Sequence, residues 1–187
     1  LSRDQLDRSH EVRKIADTWR IAFDHLPHDF VVANADDPLV VWSASSVDPD
    51  HVTWVGTGGW WTLDASGCPS CSGRIEFGAD GRSWRCLSCD FTRPQTNWSL
   101  DVDADLLVGE GKAAGITVPL GLDLPGRANA ANAAMVLAAV HAMGTDPTTA
   151  IVPMRSVHSV AGRYRTASIA GATVRMLLAK NPAGWQE

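Results

Sequence analysis

Four cysteines stand in two pairs, Cys68-Pro-Ser-Cys71 and Cys86-Leu-Ser-Cys89, a C-x2-C-x14-C-x2-C pattern. Two residues between cysteines let one tight turn present both thiolates to a single ion, and two such turns supply the closed tetrahedral site of a structural zinc. All four thiolates are then used, so no position remains for a catalytic water. The text between the pairs predicts a short hairpin, Arg74–Phe77 and Ser83–Arg85, around a Gly78-Ala-Asp-Gly81 turn. Cys68, Cys71, Cys86 and Cys89 are therefore the expected ligands of a zinc ribbon inserted over residues 67–94. Two disulfides or four free thiols are the competing readings. The N-terminus is polar and charged rather than a signal peptide, which disfavours disulfides. A segment of 28 residues cannot build a core alone, so its folding energy is expected to come from the metal. Arg74, Arg82, Arg85 and Arg93 face Glu76, Asp80 and Asp90 in number, one net positive charge. That is too little for phosphate-driven binding, and the ribbon reads as a structural insert or a protein-docking knob.

Other candidates are weaker. His10, His25, His28, His51, His141 and His158 are dispersed, and the close pair His25 and His28 lacks a third ligand. Asp101, Asp103 and Asp105 alternate and are expected on one solvated strand face. No Gly-x-x-x-x-Gly-Lys-[Ser/Thr] is present; Gly109-Glu-Gly-Lys112-Ala lacks both the first position and the hydroxyl.

The elements that must position these groups alternate between helix and strand. Val12, Ile15, Ala16, Trp19, Ala22, Phe23 and Leu26 follow one helical face, predicting a helix over 1–26 that Pro27 ends. Phe30–Ala33 predicts a buried strand. Asp36 or Asp37 can cap the next helix, with Pro38 at its first position. His51–Val55 predicts a second strand, closed by glycines, and strand-like text resumes from Trp98 to Pro119. Gly126–Met143 is an Ala-rich helix stopped by Gly144, and Asp146-Pro147 opens a short helix that Pro153 is expected to cut. Arg165–Ala170 and Thr173–Lys180 predict a hairpin around Gly171-Ala172. The pattern is that of an α/β layered domain with a largely parallel sheet.

Composition bounds the function. The chain has 187 residues, 45% apolar and 20% charged, with a net charge of −5. No basic face suggests nucleic acid as a partner, and no apolar stretch approaches the ~20 residues of a transmembrane helix. Eight tryptophans against one tyrosine are read as packing residues, since no basic residues interleave with them. The first residue is Leu1, not Met, and the chain reads as a piece of something longer.

Several segments resemble one family. Leu1-Ser-Arg-Asp-Gln-Leu-Asp-Arg8, Asn34-Ala-Asp-Asp-Pro38, Gly126-Arg-Ala-Asn129-Ala-Ala-Asn132-Ala-Ala134 and Gly162-Arg163 occur in the order seen in the central domain of Mur ligases. With the four-cysteine ribbon between them and Leu177-Leu-Ala-Lys-Asn-Pro-Ala-Gly184 at the end, the chain is similar to the MurT branch of that family, over essentially its whole length. These are the synthetase subunits of glutamine-hydrolysing lipid II isoglutaminyl synthase.

The resemblance implies a Mur ligase central α/β domain, residues 1–66 and 95–187, with a parallel-rich sheet, helices on its faces and the ribbon inserted at 67–94. It implies ATP- and Mg2+-dependent amidation of the α-carboxyl of D-glutamate in the stem peptide of lipid II, at the cytoplasmic face of the membrane. Ammonia would come from a GatD-like glutaminase subunit. By the family's pattern Asn132 would meet the adenine, with Asn129 bracing the turn before it. Arg163 would face the nucleotide phosphates, and Lys180 and Asn181 would follow an apolar strand where α/β sheets place ligand-binding groups. An amide side chain can donate and accept, which suits a purine edge. For each of these five residues an ordinary surface or capping role is the alternative.

The departures also matter. Gln5 stands where Mur ligases carry a histidine that helps hold Mg2+, Arg165 stands where an acid often follows Gly-Arg-x, and Leu177 replaces an acidic ribose-binding position. Lys14 does not fall where the family's carbamylated lysine does. These changes speak against an amino-acid ligase of Mur or polyglutamate type, which is the first alternative; a non-catalytic zinc-ribbon docking module is the second. The family's phosphate loop lies upstream of Leu1, so this stretch alone is expected to bind zinc and to turn over little or no ATP.

Overall fold

Asp37 and Pro38 show how the sequence writes the first crossover. In the computed structural model, which describes residues 12–25, 30–59, 61–161, 163–179 and 181–186, β1 (Val31–Asn34) leads directly into α2 (Pro38–Ala44). The Asp37 carboxylate accepts the Leu39 N–H at 2.9 Å and the Val40 N–H at 3.3 Å, with proline at the helix start. Of the helix expected over 1–26, the described part is α1, Val12–Asp24; residues 1–11 and 26 lie outside the described residues. It packs on α2, where buried Ser43 donates its hydroxyl to Ala16 O at 2.8 Å.

The other elements follow in chain order: β2 (Val52–Gly56), β3 (Ile75–Phe77), β4 (Trp84–Cys86), β5 (Trp98–Asp101), β6 (Leu106–Gly109), β7 (Thr117–Pro119), α3 (Arg127–Ala142), α4 (Pro147–Arg155), β8 (Tyr164–Ile169), β9 (Ala172–Leu177) and α5 (Pro182–Trp185). Five strands form one sheet in the order β1-β2-β5-β6-β7. β1 pairs β2 and β2 pairs β5 in parallel, but β5, β6 and β7 form an antiparallel meander. The sheet is thus mixed rather than largely parallel. The connections explain why. β1 reaches β2 through a helix, whereas Val102–Asp105 is a tight turn that only an antiparallel pair can use.

Strand alternation feeds two cores. Val32 and Val55 face α3 and α4, where Trp98, Leu100, Leu107, Val118, Leu137 and Ile151 close the larger core. Ala33, Val52 and Trp54 face α2. Alanines along α3 let that helix lie close to the sheet, with Ala134 and Ala138 fully buried. Pro153 does not cut α4, which continues to Arg155; only the last turn loses a donor, and Ser156 and Val157 close the end with bonds to Pro153 O and Met154 O. The ribbon strands β3 and β4 form their own antiparallel pair, as do β8 and β9. The β8–β9 turn is Ala170-Gly171, both at positive φ (51° and 84°), one residue earlier than expected.

Candidate metal centre and the rim beside it

Each cysteine pair makes one knuckle. Cys68 begins a turn in which the Ser72 N–H bonds to Cys68 O at 2.9 Å, with Ser72 at φ 64°. At the second knuckle the Cys86 N–H bonds to Phe91 O at 2.8 Å. The hairpin β3–β4 brings the knuckles together, pairing Ile75 with Cys86. All four Sγ atoms lie within 4.8 Å of one another. Cys68 and Cys89 are 3.8 Å apart and Cys71 and Cys86 3.5 Å. A tetrahedral ion with bonds of about 2.3 Å needs sulfur separations near ~3.8 Å. The donor set therefore fits a structural zinc, and the cysteines are not joined in disulfides.

Backbone N–H groups aim at the sulfurs, as thiolates require. Gly73 donates to Cys71 Sγ at 3.4 Å and Ser88 to Cys86 Sγ at 3.3 Å. The Ser88 N–H holds the Cys86 thiol well below the ordinary range, at about 7, while burial pushes the Cys68 thiol up. Behind the sulfurs Ile75, Trp84 and Phe91 pack against Val41 of α2, so the ribbon shares a core with the main domain.

The ribbon sits against the carboxyl ends of β1 and β2. Asp36, in the loop after β1, has a side chain only 2% exposed. One carboxylate oxygen accepts the N–H groups of Thr57 (2.6 Å) and Gly59 (3.1 Å) from the loop after β2. The other accepts Nε of Arg93 at 2.8 Å, and a second guanidinium nitrogen lies at 2.8 Å. Trp84 donates its indole N–H to Ala35 O at 2.9 Å. Sequence reasoning offered Asp36 only as a possible helix cap and did not single out Arg93 as its partner. The pair spans 57 positions, and no local signal connects them.

The residues expected to touch nucleotide lie in three places. α3 begins on the rim side of the sheet, since its far end sets His141 edge-on to Trp98 at the start of β5. Asn129, half-buried in the first turn of α3, donates to Pro125 O at 2.6 Å and braces the turn. Asn132 is exposed one turn on. Arg163 lines a cavity of about 690 Å³ with Tyr164, Arg165, Met176 and Leu177 at the base of the β8–β9 hairpin; neither asparagine lines it. Asn181 caps α5, accepting the Gly184 N–H at 2.8 Å. The strand it follows, β9, belongs to the antiparallel β8–β9 hairpin rather than to the main sheet. Lys180 and Gln5 lie outside the described residues.

One smaller expectation changes. Asp101 ends β5, whereas Asp103 and Asp105 lie in the turn, Asp105 at φ 53°, so the three do not share a strand face. His51 is half-buried with an unpartnered Nδ1, and His141 is half-buried against Trp98. Trp84 and Trp98 are buried and Trp42, Trp54 and Trp61 half-buried, as packing residues should be, whereas Trp19 and Trp185 are exposed; Trp60 lies outside the described residues.

No family model and no curated protein matches the sequence. Among solved structures the chain is similar to a pseudomurein peptide ligase type C from Methanothermus fervidus, at 22% identity and a TM-score of 0.66. The likeness covers 88% of this chain and 34% of that one. The fold is Mur-ligase-like. Among the described residues no helix is long and apolar enough to cross a membrane.

Proposed function

We propose that the chain is part of an ATP-dependent carbon–nitrogen ligase of the Mur type, and more narrowly of the synthetase that amidates the α-carboxyl of D-glutamate in the lipid II stem peptide. The observation that carries this reading is a four-thiol ribbon built into the rim of a Mur-ligase-like sheet. In this reading residues 1–66 and 95–187 are the ligase-like domain and 67–94 the ribbon. A carboxylate oxygen attacks the γ-phosphorus of ATP, ADP leaves, and an acyl phosphate forms. Ammonia from a GatD-like glutaminase attacks the acyl carbon, phosphate leaves, and the amide remains. The substrate sets the location, the inner face of the cytoplasmic membrane.

The chain's own contribution is adenine-side binding and the shape of the rim. Asn132 offers an exposed amide near the start of α3, where backbone N–H groups and the helix dipole favour an anion. Arg163, between α4 and β8, would supply a fixed cation, with Lys180 and Asn181 following in sequence. Cys68, Cys71, Cys86 and Cys89 would hold zinc in a structural role, since four thiolates would fill its coordination. Mg2+ would accompany ATP.

The similar protein from Methanothermus fervidus is a peptide ligase, so amino-acid addition is the second reading. One experiment separates them. The protein at its natural full length, co-expressed with the glutaminase, is supplied with ATP, lipid II and either glutamine or free amino acids. Glutamine-dependent conversion of the acid to the amide, read by mass spectrometry, is expected. Addition of a whole amino acid would establish the second reading instead.

A further inference from the structure

We infer that the metal-loaded ribbon is a brace for the two loops that follow β1 and β2, and that Gly81, Trp84 and Arg93 are the positioning residues through which it acts. The three contacts lie along one side of the ribbon. At the β3–β4 turn, Gly81 and Gly59 approach backbone to backbone. A Cβ on Gly59 would lie 2.3 Å from Gly81 O, and one on Gly81 would lie 2.2 Å from Gly59 O. On β4, the Trp84 indole holds Ala35 O. On the exit strand, Arg93 neutralises Asp36.

These contacts are tied to the metal ligands through the backbone. The Arg93 N–H bonds to Trp84 O at 3.1 Å, and the Thr92 hydroxyl donates to the same oxygen at 3.1 Å. Two residues after Trp84, the Cys86 N–H bonds to Phe91 O. Closing four thiolates on one ion therefore fixes Trp84 and Arg93 relative to each other. Without the ion, a hairpin of two three-residue strands has little to hold it.

The loops themselves need the brace. The Thr57 and Gly59 N–H groups find their acceptor in Asp36, a buried carboxylate whose charge is neutralised by Arg93. An unpaired carboxylate at 2% exposure would be strongly disfavoured and would move toward water, taking both amides with it. The carboxyl ends of parallel strands are where open α/β sheets bind ligands, so a remote metal sets the shape of a ligand rim. The brace does not depend on which ligand occupies the rim; only its use in catalysis rests on the proposed function.

Hydrogen exchange of the whole chain tests this, with zinc content measured on every sample. The Thr57 and Gly59 amides are direct reporters. Removal of zinc by a chelator should speed exchange at 57–59 and 35–37 by about tenfold or more, with β6 and β7 unchanged. Arg93→Ala and Gly81→Ala should do the same while retaining zinc, and Arg93→Lys should recover part of the protection. If chelation frees only 67–94, or zinc-loaded Arg93→Ala and Gly81→Ala keep wild-type exchange at 57–59, the brace does not exist. Binding of an ATP analogue to the full-length protein is measured separately. If the zinc-loaded wild-type protein does not bind it while chelation still loosens 57–59, the ligase reading is removed and the brace stands.

Discussion

Asp36 and Asp37 are the same residue type, adjacent, and do unrelated work. Asp37 is half-buried and caps α2 through two backbone N–H groups. Replacing it with alanine should cost about 1 kcal/mol, the usual value of an N-cap. Asp36 is a buried charge paired with Arg93 and with two loop amides. Asp36→Ala leaves the guanidinium without its counter-charge and should cost about 3 kcal/mol or more. Asp36→Asn keeps one acceptor and should fall between them. Urea unfolding of the three variants gives the order; equal losses at the two sites would show that the buried pair contributes no more than a cap. Asp146 illustrates a third use. Its carboxyl is held below the ordinary carboxylate value, first by the Thr148 hydroxyl and then by the Thr148 N–H. A lowered value means that folding favours the charged form. The contribution is therefore complete above the ordinary carboxylate range, near ~4, and disappears as pH falls through the lowered value. Unfolding midpoints of wild type and Asp146→Asn should converge in acid and separate above pH ~5.

At the scale of elements, what could be read from the sequence is what is encoded locally. Cys-x2-Cys knuckles, the Asp37-Pro38 start of α2 and the glycine stop of α3 each occupy a few neighbouring residues, and each appears where expected. The sheet was only half legible. Trp98 to Pro119 reads as strand-like text and holds β5, β6 and β7, but nothing in that sequence says whether a short connection turns back or crosses over. Pro153 misled because proline is punished by position, and near the end of α4 it costs one bond rather than the helix. Asn181 caps α5, and in sequence a cap and a ligand-binding amide look alike. The ribbon is the element whose stability should be most separable. Cys86→Ser removes one of the four thiols and should reduce bound zinc from one ion per chain to none, with little change in helix content because α3 and α4 pack in a core that the ribbon does not enter. Metal analysis with far-UV circular dichroism decides it; full zinc occupancy in the variant would mean that three sulfurs suffice.

Across the whole molecule, burial divides the chain into parts of unequal strength. Val55, Trp98, Leu107, Val118, Leu137 and Ile151 are buried in one core, while α2 packs with the ribbon through Val41 and with α1 through Leu39. The β8–β9 hairpin is different. Every residue of β9 is exposed, including Met176 and Leu177, and β8 buries none of its residues fully. A two-stranded ribbon without a covered face is marginal in water. Its turn adds strain, because Ala170 sits at φ 51° where glycine or asparagine is favoured. Amides of Tyr164–Ile169 and Ala172–Leu177 should therefore exchange far faster than those of Val52–Gly56 and Leu106–Gly109, at a level insensitive to core mutations. Ala170→Asn should slow hairpin exchange by about threefold, since it relieves roughly 0.7 kcal/mol at the turn without touching the core. Slow exchange in the wild-type hairpin, equal to that of the sheet, would mean that something covers Met176 and Leu177 in solution. The same gradient follows from charge. Between Pro147 and Gln186 the chain carries five basic residues and no acid, whereas residues 1–146 carry a large acidic excess. Attraction between a basic hairpin and an acidic body is screened by salt, so raising ionic strength should increase exchange in β8 and β9 first.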